Sequence, residues 1–136
     1  MFPVNEQDAE FLSSIYRQCF SKSWSKKEIE HLINLCGFFG FWCTEGMIMC
    51  NTAVDEAEIY TICVLPSSRG KGIGKNLLNM ALKHARLHKV QKMFLEVAKD
   101  NIPAIKLYNS AGFIEVGCRK KYYNNQTDAL IMELKL

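Results

Sequence analysis

A chain of 136 residues is long enough to bury one core and too short for two comfortable ones. Hydrophobic residues make up 49% and charged residues 23%, the balance of a globular domain, and no apolar run approaches the roughly 18 residues that a membrane span needs. The formal charge of +3 suits an anionic ligand and is too small to argue for direct nucleic-acid binding. Acids stand near the N-terminus where an export signal would carry basic residues, so a cytoplasmic address is expected. Six cysteines, at 19, 36, 43, 50, 63 and 118, include no Cys-x-x-Cys pair and mostly sit in apolar stretches. They read as reduced, buried thiols, with no disulfide framework and no zinc site.

Ala9, Leu12, Ile15, Tyr16, Cys19 and Phe20 recur at helical spacing and predict a first amphipathic helix. Ser25 and Glu28 have capping-box spacing ahead of a second helix, whose apolar face is Ile29, Leu32 and Ile33 and whose end is set by Gly37. Aromatic and β-branched residues then predict three antiparallel strands near 38–44, 47–54 and 57–64. Leu77, Leu78, Ala81, Leu82 and Ala85 mark a third helix running to about Leu87. A short strand follows at 92–97. Asn101 caps a fourth helix with Pro103 in its first turn, where the missing N–H costs little, and Gly112 stops it. Two closing strands, 113–122 and 128–135, flank a polar turn at Asn124, Asn125 and Gln126. The order predicts a single α/β domain over 1–136, with a mixed sheet whose parallel pair, 57–64 and 92–97, is linked by a crossover helix.

Between the third strand and the third helix lies Arg69-Gly70-Lys71-Gly72-Ile73-Gly74-Lys75. Glycines let backbone N–H groups approach a ligand with no Cβ in the way, and the following helix start favours negative charge. Arg69, Lys71 and Lys75 add positive charge, so the loop is a candidate phosphate or pyrophosphate cradle. It is not a magnesium-nucleotide loop, because Asn76 stands where a serine or threonine ligand is required. Nor is it a dinucleotide fingerprint, which needs glycine where Lys75 or Leu77 stands.

The spacing Arg69-x-x-Gly72-x-Gly74 resembles the signature by which GNAT acetyltransferases hold the pyrophosphate of coenzyme A. The resemblance continues through Leu95-Glu96-Val97, Asn101, Ala104-Ile105-x-Leu107-Tyr108 and Ala111-Gly112-Phe113. Arg119 to Tyr123, the run 128–132, and Trp24-Ser25 resemble the bacterial enzymes that acetylate the N-terminal alanine of a ribosomal protein. The likeness covers about 57–135; Ser23 stands where that family commonly has proline, and 35–55 is short and cysteine-rich.

The resemblance implies a GNAT fold: a central sheet, mostly antiparallel, with a splayed parallel pair and flanking helices. It implies acetyl-CoA as cosubstrate, no metal, and a protein N-terminus, on a ribosomal protein, as acceptor. No membrane partner is expected, and the chain is expected to be a monomer or a weak dimer. Arg69, Gly70, Lys71, Gly72, Ile73, Gly74 and Lys75 are then the cofactor loop. Asn101 is a cofactor contact as well as a cap, and the backbone of Ile62, Cys63 and Val64 pairs with the pantetheine arm. Acyl transfer needs the amine deprotonated and the leaving thiolate protonated. Alternation places Glu96 with Phe94, opposite Met93, Leu95 and Val97. From the residues alone it is either a half-desolvated proton acceptor or a strand glutamate paired with a lysine; the resemblance makes it the base. Tyr108, otherwise a core residue, becomes the acid for the thiolate. Tyr122 and Tyr123 become candidates to line the peptide.

Three rival readings stay open at this point. They are a GNAT enzyme acting on a small amine, a non-catalytic acetyl-CoA-binding regulator, and a phosphate-loop nucleotide protein. His84 and His88 share a helix face at zinc-ligand spacing, but the surrounding Lys83, Arg86 and Lys89 make a solvated face the expectation.

Overall fold

A computed structural model describes residues 1–20, 24–123 and 127–136, without the side chains of 121–123. The predicted turn at 124–126 and the departure at Ser23 lie outside the described residues. A two-residue strand β1 (Phe2–Pro3) precedes α1 (Ala9–Cys19) and α2 (Lys26–Ile33). Then come β2 (Phe38–Cys43), β3 (Gly46–Ala53), β4 (Glu56–Val64), α3 (Ile73–Leu87), β5 (Lys92–Ala98), α4 (Ile102–Ser110), β6 (Ile114–Tyr123) and β7 (Thr127–Lys135). The predicted elements are all present. The additions are β1 and the 3-10 turns Glu6–Asp8 and Pro66–Ser68, too short to carry a periodic signal.

Ser25 Oγ accepts from the Glu28 N–H at 3.2 Å, as its spacing predicts. The second helix stops at Ile33, earlier than expected. Gly37 instead sets the entry into β2: its φ is 92°, and a Cβ there would lie 2.1 Å from the Thr52 carbonyl oxygen. No L-residue fits that position without moving β3.

The seven strands form one sheet in the order β1-β2-β3-β4-β5-β7-β6. Every neighbouring pair is antiparallel except β4–β5, which α3 links as a crossover. Two cores cover the two faces. On one, Leu77, Leu78, Ala81, Leu82 and Ala85 of α3 pack on Ile48, Cys50, Ala57, Ile59, Met93, Leu95 and Val97. On the other, Ala9, Leu12 and Ile15 of α1 and Ile29 of α2 pack on Met47, Met49 and Cys63. Among the described residues no helix is long and apolar enough to cross a membrane.

A bulge in β4 is what positions the site. Opposite β3, Cys50 pairs with Ile59 but Met49 pairs with Thr61, so Tyr60 is the extra residue. The faces exchange across it. Ile59 lies in the α3-side core and Cys63 in the α1–α2 core, although alternation alone would put both on one side.

Candidate active site

The glycine loop enters α3 through two left-handed residues, Gly70 at φ 77° and Gly72 at φ 83°. Gly72 is the N-cap of α3. Nothing lies within 4 Å of where a Cβ would stand at either glycine, so the requirement there is conformational and the space above the loop is open. The first-turn N–H groups of α3 have no intrahelical acceptor and open into that space with the positive end of the helix dipole. Lys71 and Lys75 are exposed beside it. The charge and the open space at this helix start favour an anion. Gly74 differs: a Cβ there would make ordinary contacts of 3.5 Å with Leu107 and 3.7 Å with Val64, so it marks where α3, α4 and the end of β4 meet.

The parallel ladder between β4 and β5 runs only from Glu56↔Lys92 to Ile59↔Leu95. Beyond it, 60–64 and 96–98 have no partner across the gap, while β3 and β7 stay paired on their outer sides. The Leu65 N–H donates to the Glu45 carbonyl at 2.8 Å. In an antiparallel ladder the direction alternates, so Cys63 also turns its backbone toward β3, and Ile62 and Val64 face the gap. The expectation for 62–64 is therefore corrected at Cys63, whose backbone is committed to the sheet. The Val64 carbonyl is also taken, by Arg69 Nε at 3.0 Å and the Cys19 thiol at 3.4 Å. That leaves the Ile62 N–H and carbonyl and the Val64 N–H turned toward an extended ligand in the gap. Arg69 ties the loop to the strand end through this bond.

Glu96 stands just past the last rung of the ladder, on the face opposite Met93, Leu95 and Val97, as alternation predicts. Its carboxylate is mostly covered, with a side-chain exposure of 21%. Its ion-pair partner is not a lysine but Arg119 of β6, at 2.8 Å, reaching across the intervening β7. Tyr108 comes from the opposite face: it is 5% exposed, lies in the α3-side core and packs against Phe113 with ring centroids 5.7 Å apart. Asn101 Oδ1 accepts from the Ala104 N–H at 3.4 Å, so its capping role is present. The gap thus has a carboxylate on its α1–α2 side and a tyrosine-bearing helix on its α3 side. A thioester threaded between them would meet a proton acceptor and a proton donor from opposite directions.

The sequence pattern of the Acetyltransferase (GNAT) family matches residues 9–113. The chain belongs to the GNAT acetyltransferases. It is an N-acetyltransferase, and acetyl-CoA is the cosubstrate of that chemistry. The ribosomal protein bS18-alanine N-acetyltransferase of Haemophilus ducreyi is 31% identical over 98% of this chain and 97% of its own length. The crystal structure of the ribosomal-protein-S18-alanine N-acetyltransferase from Escherichia coli superposes with a TM-score of 0.87 at 27% identity, covering 97% of this chain and 90% of that one. Arabidopsis thaliana NAA60, crystallised with acetyl-CoA, is 21% identical with a TM-score of 0.83, over 98% of this chain and 96% of its own, and shares the fold.

Within this acetyltransferase, sequence reasoning missed Glu58 and its relation to Glu96. Glu58 pairs laterally with Asn51, and its neighbours Ala57 and Ile59 lie in the α3-side core, so its side chain is on the Glu96 face. In register it stands beside Phe94, one step along that face from Glu96. Burial raises its carboxyl above the ordinary carboxylate value, the Glu96 charge raises it further, and Arg119 opposes both. Tyr60 is raised in turn, by burial and then by the Glu58 charge. The signal available in the sequence was the Glu58/Tyr60 pair at strand spacing in β4; without the bulge and the splay, nothing ties it to Glu96.

Two other expectations change, while the side chains of Tyr122 and Tyr123 lie outside the described residues. The cysteines are not uniformly buried: Cys50 and Cys63 are, while Cys36 and Cys118 are exposed because they fall in a turn and on the edge strand. Burial pushes the Cys50 and Cys63 thiols far up, which makes them poor nucleophiles. His84 is not part of a solvated face either. Its ring stacks on Phe39 at 4.4 Å and on His88 at 4.0 Å, and burial followed by the His88 charge lowers its pKa.

Proposed function

We propose that the chain works as one acetyltransferase domain over 1–136 that transfers the acetyl group of acetyl-CoA to the N-terminal α-amine of a protein, an alanine-starting ribosomal protein. The observation that carries this reading is the β4–β5 gap. It opens at one end on an anion cradle and is flanked near its last rung by a half-buried carboxylate. The alanine N-acetyltransferase likeness across nearly the whole chain supports the acceptor. The domain works in the cytoplasm, where acetyl-CoA and nascent ribosomal proteins are both available.

The loop 69–75 binds the pyrophosphate, and Ile62 and Val64 align the pantetheine arm through their backbone. Bound acetyl-CoA supplies an activated acyl carbon. Glu96 takes the proton of the incoming ammonium, whose pKa of about 7.7–8.0 already leaves part of it neutral near pH 7. Tyr108 returns a proton to the departing thiolate. Tyr122 and Tyr123 line the peptide.

The test is thiol release from acetyl-CoA with a short alanine-starting peptide, beside the same peptide blocked at its N-terminus. Turnover is expected only with the free amine. Turnover with small amines and none with the peptide would overturn the protein-substrate reading.

A further inference from the structure

Two of the cysteines meet at the open end of β4. Cys19 is the last residue of α1, and its thiol donates to the Val64 carbonyl at 3.4 Å. Cys63, the preceding residue of β4, is buried in the same α1–α2 core against which Cys19 packs. The two thiols lie within hydrogen-bonding reach: burial first, then the charge and hydrogen bond of Cys19, hold the Cys63 thiol above its ordinary value. Cys50 differs, since burial alone raises it. The place of the pair matters because the Val64 carbonyl has a second donor, Arg69 Nε at 3.0 Å, by which the glycine loop is tied to the strand. The N–H of the same Val64 is turned to the gap.

We propose that Cys19 and Cys63 are a site of reversible oxidation, a thiol pair whose disulfide releases the Val64 carbonyl and weakens the hold of β4 on acetyl-CoA. The oxidant is a low-molecular-weight disulfide such as glutathione disulfide. Cys19 is the partly exposed member, so its sulfur attacks first: the glutathione S–S bond breaks, one glutathione leaves, and the other stays on Cys19. Cys63 then attacks the Cys19 sulfur and displaces the second glutathione. The protein gives up two electrons and two thiol protons, and one glutathione disulfide becomes two glutathione thiols. Burial keeps Cys63 protonated, which makes the second step the slow one. A disulfide sulfur carries no hydrogen, so the Cys19 bond to the Val64 carbonyl is lost and Arg69 is left as its donor. The end of α1 is drawn onto β4 at the same time. The effect on the cofactor rests on the acetyl-CoA reading of the gap; the disulfide does not.

The experiment equilibrates the full chain in glutathione buffers from reducing to oxidising, blocks the remaining thiols, and maps the cysteines by mass spectrometry. Cleavage after both basic and acidic residues leaves Cys19 and Cys63 in separate peptides that hold no other cysteine. Wild type is expected to yield these two peptides joined, with the loss of two hydrogens, and dithiothreitol should separate them. Cys63→Ala should stop at the Cys19–glutathione adduct. Acetyl-CoA binding is then measured by calorimetry on the reduced and oxidised protein, the thioester having no thiol to reverse the disulfide. Oxidised wild type should bind about threefold to tenfold more weakly, the worth of one net hydrogen bond. Cys19→Ser keeps a hydroxyl donor for Val64 and should bind equally in both buffers. Glutathione adducts without a Cys19–Cys63 link in wild type would overturn the pair, and this needs no variant to fold. A joined pair with unchanged acetyl-CoA affinity would overturn the switch. If even the reduced protein fails to bind acetyl-CoA, the cofactor reading has failed, and the peptide map still decides the pair.

Discussion

Between Glu56 and Ile59, β4 is held to β5 by four register pairs, and Lys92 bridges Glu56 at 3.6 Å and Glu133 at 3.1 Å. From Tyr60 onward the same strand leaves β5. Ile62 and Val64 keep their register with β3 but turn the Ile62 N–H and carbonyl and the Val64 N–H away from it. The closed end is fixed by hydrogen bonds and buried apolar contacts among Ala57, Ile59, Met93 and Leu95. The open end withholds the same hydrogen bonds, which makes it able to receive an extended ligand. A binding edge inside a sheet is thus produced by one extra residue at Tyr60 and a ladder that stops.

Substitutions can break that comparison in graded steps. The largest effect belongs to the open end. Glu96→Gln and Tyr108→Phe should each lower kcat for acetyl transfer by about a hundredfold to ten-thousandfold, the usual worth of a positioned acid or base. Thiol-release kinetics would measure it, and wild-type-like Tm in Glu96→Gln would place the loss in chemistry. The closed end should answer in the opposite currency. Leu95→Ala removes a fully buried side chain and should destabilise the fold by about 2–5 kcal/mol in urea unfolding.

Gly72→Val is smaller and mixed. A β-branched residue held at the positive φ of Gly72 should cost about 1–2 kcal/mol and raise the acetyl-CoA KM while the amine KM stays put. The smallest effect lies at the other end of the same helix, on His84. Its folded pKa is lowered, so between the folded and unfolded values the unfolded chain binds more protons and stability rises with pH. The contribution is present above about 6.5, the ordinary value, and is lost as pH falls below it. His84→Phe should therefore flatten the dependence of Tm on pH across that range; an unchanged slope would place the titration elsewhere.

Much of this architecture was readable along the chain. Helical periodicity in α1 and α3, β-branched and aromatic runs in β2 to β4, and the cap at Asn101 are local features, and each formed near its predicted place. The glycine loop was readable for the same reason: a left-handed N-cap at Gly72 is a property of the residue and its neighbours. The alternation that sets Glu96 against Met93, Leu95 and Val97 held because β5 has no bulge along its pairing with β7. Alternation could not have assigned the faces of β4, since nothing local announces the extra residue at Tyr60. Periodicity could not assign His84 either, because the ring that shelters it, Phe39, belongs to a strand far away in sequence.

The sequence by itself determined which segments become helix and strand, where left-handed glycines open the start of α3, and that a carboxylate lies on one face of β5. These follow from backbone preference, side-chain period and the absence of a Cβ, all of which act within a few residues. Only the tertiary structure decided that β4 and β5 part at Ile59, that Arg119 reaches Glu96 across β7, and that Glu58 shares their field. Those relations join residues from separate strands, and their energies depend on register and burial that exist only once the sheet is assembled.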